Sequence, residues 1–384
     1  MVPSMSDFIY LDYNASTPLA EEVLQAMMPY FTQHYGNPSS MSHSYSWAAA
    51  GGMTMARKQV AHLLHCDPSE IIFTSGATES INLALRGVLE QQPEIQTWTT
   101  EVEHAATFQT LKSAESKGYK IFWLKNEKNG LVPMDTLRAE LERAPKETPK
   151  LVSFILAQNE FGSLYDLKTL SDICKEHKAL LHVDATQAVL TQPLDVSKTP
   201  VDLLSFSAHK IYGPKGTGAL YINKATLGRS LAPQSFGGGQ EFGLRSGTPN
   251  VAGIVGMGAA CALVEARQTK DQEHFKNLYH FFSTKMDQSG VKFFLNGDAQ
   301  SRIFNTISIT FPEHNSDTPL TLALAPFCLT QGSACGAGST GPNRVLSALG
   351  LNERETQNTL RIGLGRHTSV SELEKLVEKL QQVI

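Results

Sequence analysis

A chain of 384 residues with 41% hydrophobic residues and a formal net charge of -4 is long enough for one large and one smaller domain. It carries no basic run of the kind that marks a nucleic-acid binder, no stretch read as a membrane span, and no signal order in Met1 to Tyr10. A cytoplasmic protein without membrane or direct nucleic-acid contact is therefore expected. Five scattered cysteines, an odd number, imply reduced thiols rather than a disulfide framework. With no C-x-x-C pair and no H-E-x-x-H helix, no metal site is expected.

In chain order, Phe8 to Ala15 reads as a short strand and loop, and Pro18 to Tyr30 as a helix. Tyr35 to Ser40 breaks the pattern with turn chemistry, and a helix follows from Ser46 to Leu64. Glu70 to Thr74 is an apolar strand that runs through Ser75-Gly76-Ala77-Thr78-Glu79-Ser80 into a helix. The free N–H groups of such a junction suit a phosphate, although a plain helix cap has the same pattern. No Walker lysine follows it.

Strands at Thr97 to Thr100, Lys120 to Leu124 and Leu151 to Ala157 then alternate with helices from about Ala105 and at Met134 to Arg143. Further strands are Leu180 to Asp184, Leu203 to Phe206 and Gly218 to Ile222. Alternation at this spacing predicts crossover units and a mostly parallel sheet. After Gly237-Gly238-Gly239, helices are expected at Val251 to Arg267 and His274 to Met286, leading into a smaller α+β domain.

The chemistry centres on Lys210. It follows the apolar run Val201 to Phe206 and precedes Gly213-Pro214-Lys215-Gly216, so its amine leaves a strand end where it can form an imine with a carbonyl compound. A solvated lysine has the same local pattern, so the neighbours must decide. Asp184, also at a strand end, suits a pyridine nitrogen, and Asn159 and Gln187 suit a ring oxygen. Ser207 and His209 join Ala77 and Thr78 as a phosphate cradle. His104 offers a flat face for stacking and a ring able to transfer protons. Together they describe a pyridoxal phosphate (PLP) site.

Ser75 to Ser80, Val102-Glu103-His104, Gln158 to Gly162, His182 to Gln187 and Ser205 to Gly216 resemble the cysteine desulfurase family, NifS/IscS type. That family lies within the class V aminotransferase-like, fold-type I PLP enzymes. The resemblance runs from Tyr10-Leu11-Asp12 through Gly36 to Ser40 and on to Arg361. It implies an α/β fold, with a large PLP domain at 15–262 built on a mostly parallel seven-stranded sheet flanked by helices. Residues 1–14 and 263–384 would form the smaller α+β domain, carrying a mobile loop at about 328–341.

The resemblance also implies roles: Lys210 as the cofactor-binding lysine, Asp184 on the ring nitrogen, His104 stacked on the ring, and Asn159 and Gln187 on the hydroxyl side. Ala77, Thr78, Ser207 and His209 would hold the phosphate. Thr248 would reach the cofactor of a second subunit, which implies a homodimer. Cys335, in Gln331-Gly332-Ser333-Ala334-Cys335-Gly336, corresponds to the persulfide-forming residue, in a setting where small residues and glycine permit exposure. Arg361 matches the arginine that binds the substrate carboxylate, and Asn37 would border the same pocket.

The implied reaction removes sulfur from L-cysteine, giving alanine and a persulfide on Cys335. The sulfur would pass to an acceptor protein, such as an iron-sulfur scaffold or a tRNA-thiolation relay. A selenocysteine lyase or an aminotransferase is the alternative. Gln240 and Phe242 depart from the family's histidine and arginine, which is expected to alter the subunit edge or the docking of acceptors.

Overall fold

A computed structural model describes residues 8–40, 42–227, 231–316, 318–332 and 343–384. Its strands are β1 (Ile9–Tyr10), β2 (Ile71–Thr74), β3 (Gln96–Thr100), β4 (Lys120–Leu124), β5 (Lys150–Ile155) and β6 (Ala179–Asp184). They continue as β7 (Leu203–Ser207), β8 (Gly218–Ile222), β9 (Phe294–Leu295), β10 (Thr306–Thr310), β11 (Phe327–Cys328) and β12 (Thr359–Gly363). The first eight helices are α1 (Glu21–Met27), α2 (Pro29–Thr32), α3 (Ser44–Leu64), α4 (Ala77–Gln91), α5 (Ala105–Glu115), α6 (Met134–Arg143), α7 (Leu167–Glu176) and α8 (Val251–Gln288).

Seven strands form the central sheet in the order β2-β8-β7-β6-β5-β3-β4. β4, β3, β5, β6 and β7 run parallel to one another, and β8 lies antiparallel to both β7 and β2. Most of these strands are buried on both faces, which is why they read as continuous apolar runs rather than alternating ones. Phe73, Val152, Phe154, Val183, Leu204 and Phe206 face the core shared with α3 and α8. Their chain neighbours Ile72, Leu151, Leu203 and Leu220 face the opposite core, under α4 and α5. The order of the chain reverses between β3 and β5, and ligands of open α/β sheets bind outside the carboxyl ends of the strands at such a switch point.

A second, antiparallel sheet has the order β12-β10-β9, and β1 pairs in parallel with β11. A bridge between Asp12 and Gly363 ties the N-terminal segment to β12.

The region from 251 to 288 departs from the two helices expected there: it is one helix, α8. The stretch from Arg267 to Glu273 has few apolar residues but neither proline nor glycine. Its Asp271 is buried against Arg366 at 2.8 Å and against Arg267 at 3.7 Å, so polarity there marks ion pairing rather than a break. The boundary expected at 262/263 falls inside this helix. α8 also contains a window long and apolar enough to cross a membrane, and half of that window is buried inside the fold. Near the N-terminus the expected helix at Pro18 to Tyr30 is split into α1 and α2, with Pro29 opening the second.

Candidate active site

A cavity of about 450 Å³ opens at the carboxyl ends of the central strands. Ile155 ends β5, Asp184 ends β6 and Ser207 ends β7, while His104, Asn159, His209 and Lys210 stand on the segments that follow β3, β5 and β7. Ala77, Thr78, Gln187 and Arg361 complete the sequence-predicted lining. Ten of the expected site residues, Arg361 among them, thus meet in one place.

The Lys210 turn is built by contact with the N-terminal segment. Lys210 Nζ donates to Asn14 O at 2.5 Å and Ala15 O at 2.7 Å. Thr17 N donates to His209 O at 3.0 Å, and Tyr212 N donates to Thr17 Oγ1 at 2.8 Å. Tyr212, buried at φ 65, carries the chain through the turn. Its ring packs under the Arg366 guanidinium, 4.1 Å from the centroid, and its hydroxyl accepts from Arg366 N at 2.7 Å.

At the other end, α4 presents its N-terminus beside Ser207 and His209. Such a terminus has unpaired N–H groups and the positive end of the helix dipole, which favours an anion. Glu79 also lines the cavity, but Arg245 pairs with it at 2.9 Å and Ser75 N donates to it at 2.7 Å. His209 is pushed down to about 4 by burial and by the charges of Lys210 and Lys215. It is therefore neutral at pH 7, able to donate or accept.

His104 caps α5, its Nδ1 accepting from Ala106 N at 3.1 Å. In the neutral ring the proton consequently sits on Nε2. Burial, assisted by Lys210, Arg344 and Arg361, holds His104 below its ordinary value, with Asp184 pulling the other way. Asp184 is 2% exposed, and Thr186 N donates to its Oδ1 at 3.0 Å. Asn159 is buried, and its Oδ1 has no partner among the described residues. Gln187 shares hydrogen bonds with Asn14, its Nε2 donating to Asn14 O at 3.0 Å.

Arg361 comes from β12 in the second sheet. Its Nη2 donates to Asp12 Oδ1 at 2.8 Å and its Nη1 to Asn159 O at 3.1 Å. The cavity thus combines an amine, a buried carboxylate, a neutral imidazole, an anion-favouring helix end and a guanidinium. An aromatic cofactor bearing a phosphate and a carbonyl has complementary groups, and an α-amino acid could sit between it and Arg361.

Two expected site residues are not at this cavity. Asn37, expected to border it, lies in an exposed turn where its Oδ1 accepts from Ser39 N at 2.9 Å, because the Asn-Pro-Ser-Ser turn satisfies itself locally. Thr248 is exposed and does not line it within this chain. Cys335 lies outside the described residues. The four described cysteines are all pushed upward by burial, Cys66 to about 12, so each is a poor source of thiolate.

Sequence reading missed Asn14, Ala15, Ser16, Thr186, Lys215 and Gly216 among the lining residues. The small polar run after the first strand was visible, but nothing local ties Asn14 to a lysine nearly two hundred residues away. Glu103 was also given no role. It is fully buried, its Oε1 accepts from Ile155 N at 3.0 Å and Thr100 Oγ1 at 3.2 Å, and burial pushes it up to about 8. Direct β3–β5 pairing ends at Trp98 and Val152. The Glu103 carboxyl therefore replaces a neighbouring strand for Ile155 and fixes the start of the His104 segment.

Residues 9–376 match the family model described as Aminotransferase class-V. The chain belongs to that family. It is 39% identical to the cysteine desulfurase IscS of Shewanella piezotolerans, over 98% of this chain and 92% of that one. Among solved structures it resembles a NifS-like protein with a TM-score of 0.87 and 32% identity, covering 98% of this chain and 99% of the other. It also resembles SspA in complex with cysteine, with a TM-score of 0.80 and 33% identity, covering 94% and 99%. The α/β architecture is that of the class V aminotransferase fold.

Proposed function

We infer that the protein is a PLP-dependent cysteine desulfurase. The observation that carries this reading is the convergence of Lys210, Asp184 and Arg361 on one cavity from β7, β6 and the second sheet. The desulfurase relatives and the cysteine complex of a similar structure support the substrate.

The residues fit PLP: the buried Asn159 Oδ1, without a partner among the described residues, suits the ring hydroxyl, and the α4 terminus with Ser207 and His209 suits the phosphate. Asp184 would hold a proton on the ring nitrogen, His104 would stack on the ring, and Gln187 would stand on the hydroxyl side. When bound, PLP supplies an electron sink for the pair left at the substrate α-carbon. Lys210 Nζ would bind the aldehyde carbon and, once displaced by the substrate amine, carry the α-proton. Arg361 would take the cysteine carboxylate, and His104 Nε2 would exchange a proton near the sulfur. Cys335 Sγ would then attack the substrate sulfur. An S–S bond would form as the substrate Cβ–S bond breaks, its electron pair staying with Cβ, which takes up a proton, so that alanine leaves. In a homodimer, Thr248 would complete the partner subunit's phosphate site, and an acceptor protein would draw the sulfur from Cys335.

Incubation of the PLP-loaded protein with L-cysteine should yield alanine and a mass increase of one sulfur on the Cys335 peptide. Lys210→Ala should abolish alanine formation, and Cys335→Ala should abolish persulfide while leaving the PLP absorbance intact. Normal sulfur release by Cys335→Ala would refute the assignment and point to a lyase reaction, and amino-group transfer without sulfur release would point to an aminotransferase.

A further inference from the structure

Asp12 lies outside the cavity lining yet makes the ion pair that holds the cavity's arginine. We propose that Asp12 is a positioning residue that sets the orientation in which Arg361 meets the substrate carboxylate. The identity of that substrate rests on the desulfurase reading; the positioning itself rests on the contacts.

The Arg361 side chain is 3% exposed and that of Asp12 15%, so the pair is largely withdrawn from water. A buried guanidinium needs a counter-charge and acceptors for its donors. Arg361 is held at two points, Nη2 on Asp12 Oδ1 at 2.8 Å and Nη1 on Asn159 O at 3.1 Å. Those two bonds define the plane of the fork. The Nε–H remains buried without a partner among the described residues, an unused donor on the one arginine that lines the cavity. A carboxylate ligand needs N–H groups held in a fixed plane, and the restraints on Nη1 and Nη2 set that plane.

The contacts of Asp12 separate its side chain from its backbone. The backbone is structural: Asp12 O accepts from Ala15 N at 2.9 Å and from Tyr10 Oη at 3.1 Å, and the bridge to Gly363 joins the chain to β12. The side chain serves Arg361. Its other contact, from Thr330 Oγ1 at 3.4 Å, is longer than the bond the same hydroxyl makes to Gly332 O at 3.0 Å. A single hydroxyl proton favours the shorter of the two. Substitution of the side chain therefore leaves the backbone bridge in place and releases one of the two restraints on the guanidinium.

The test compares PLP-loaded wild type, Asp12→Ala and Asp12→Asn in steady-state turnover of L-cysteine. It adds dissociation constants from the cofactor's absorbance for L-alanine, which has the carboxylate but no sulfur, and cysteamine, which has sulfur but no carboxylate. In Asp12→Ala, KM for cysteine and Kd for alanine should rise by about tenfold or more, with kcat within about threefold and the cysteamine Kd unchanged. Asp12→Asn, whose Oδ1 still accepts, should fall between.

An unchanged alanine Kd, or equal weakening for alanine and cysteamine, would overturn the proposal. Tighter alanine binding would do the same, because Asp12 would then be competing with the substrate. If Asp12→Ala does not fold, the alanine-to-cysteamine ratio in Asp12→Asn decides: a ratio that moves toward weaker alanine supports the proposal, and one that stays put refutes it. Wild-type protein that discriminates alanine from cysteamine but forms no persulfide from cysteine would sink the desulfurase reading and leave the Asp12 inference standing.

Discussion

His104 can exchange a proton through only one nitrogen. Ala106 N–H occupies Nδ1, and burial, with Lys210, Arg344 and Arg361 acting in the same direction, keeps the ring neutral at pH 7. A neutral imidazole with a free Nε2 is suited to proton exchange beside a leaving sulfur. His104→Gln should therefore lower kcat on the order of 100-fold while PLP is retained. Because the group sits below its ordinary 6.5, the acid limb it causes should lie below that pH. A kcat profile against pH should show the limb in wild type and lose it in the variant. Glu103 beside it is the opposite case: an acid that burial keeps protonated near neutrality, serving as a neutral clamp for Ile155 N–H.

The turn after β5 joins the two sheets through Gly162. Ala157 and Leu164 bridge across it, Gly162 N donates to Gln158 O at 2.9 Å, and Ile303 N donates to Gly162 O at 2.8 Å. Gly162 has φ +82, and a Cβ there would lie 3.1 Å from Thr306 O and 3.2 Å from Ile303 O. Alanine must then bear the backbone strain and push apart two carbonyls of the segment leading into β10. Gly162→Ala should cost roughly 2 kcal/mol or more in urea unfolding and weaken PLP retention, since Asn159 sits in the same turn. Gly118→Ala is the control: at φ +95 with nothing within 4 Å, it should cost only about 1 kcal/mol and leave PLP binding unchanged. The same dependence on surroundings explains α8, whose polar middle continues as helix because the buried Asp271 pairs with Arg267 one turn earlier and with the buried Arg366.

Stability of the folded chain against pH reflects buried groups of opposite sign. His182, between Ser153 Oγ at 2.9 Å and Ser205 Oγ at 3.0 Å, is pushed down to about 3 by burial, and His209 to about 4. Below pH 6.5 the unfolded chain takes up protons that these folded histidines refuse, so stability falls on acidification. Each contributes at most about 1.4 kcal/mol per pH unit, and His209, partly exposed, contributes less. Glu103 works in reverse: its folded form keeps a proton that the unfolded chain loses above 4.5, so its contribution is lost as pH rises toward 8. Between 4.5 and 6.5 the histidines outnumber it, and above 6.5 it acts alone among these three. The urea midpoint of the cofactor-free protein should therefore be highest near pH 6.5. Glu103→Gln should flatten the alkaline limb between pH 6.5 and 8; an unchanged limb would show that Glu103 is ionised throughout.

The amino-acid sequence by itself determined the central sheet and most of the site. Strands buried on both faces leave unbroken apolar runs, and a polar residue at the end of such a run, as at Asp184 or beyond β7 at Lys210, announces itself without any tertiary information. The tertiary structure alone decided which distant groups meet. Asp12 on Arg361, Asn14 and Ala15 on Lys210, and Glu103 on Ile155 are contacts with no local periodicity to betray them. It also put Asn37 in an exposed turn away from the cavity. Spacing along the chain encodes which face or end of an element a side chain occupies; the partner across the gap is chosen by how the two sheets pack, and that packing is what turned an isolated arginine into one held in a fixed plane.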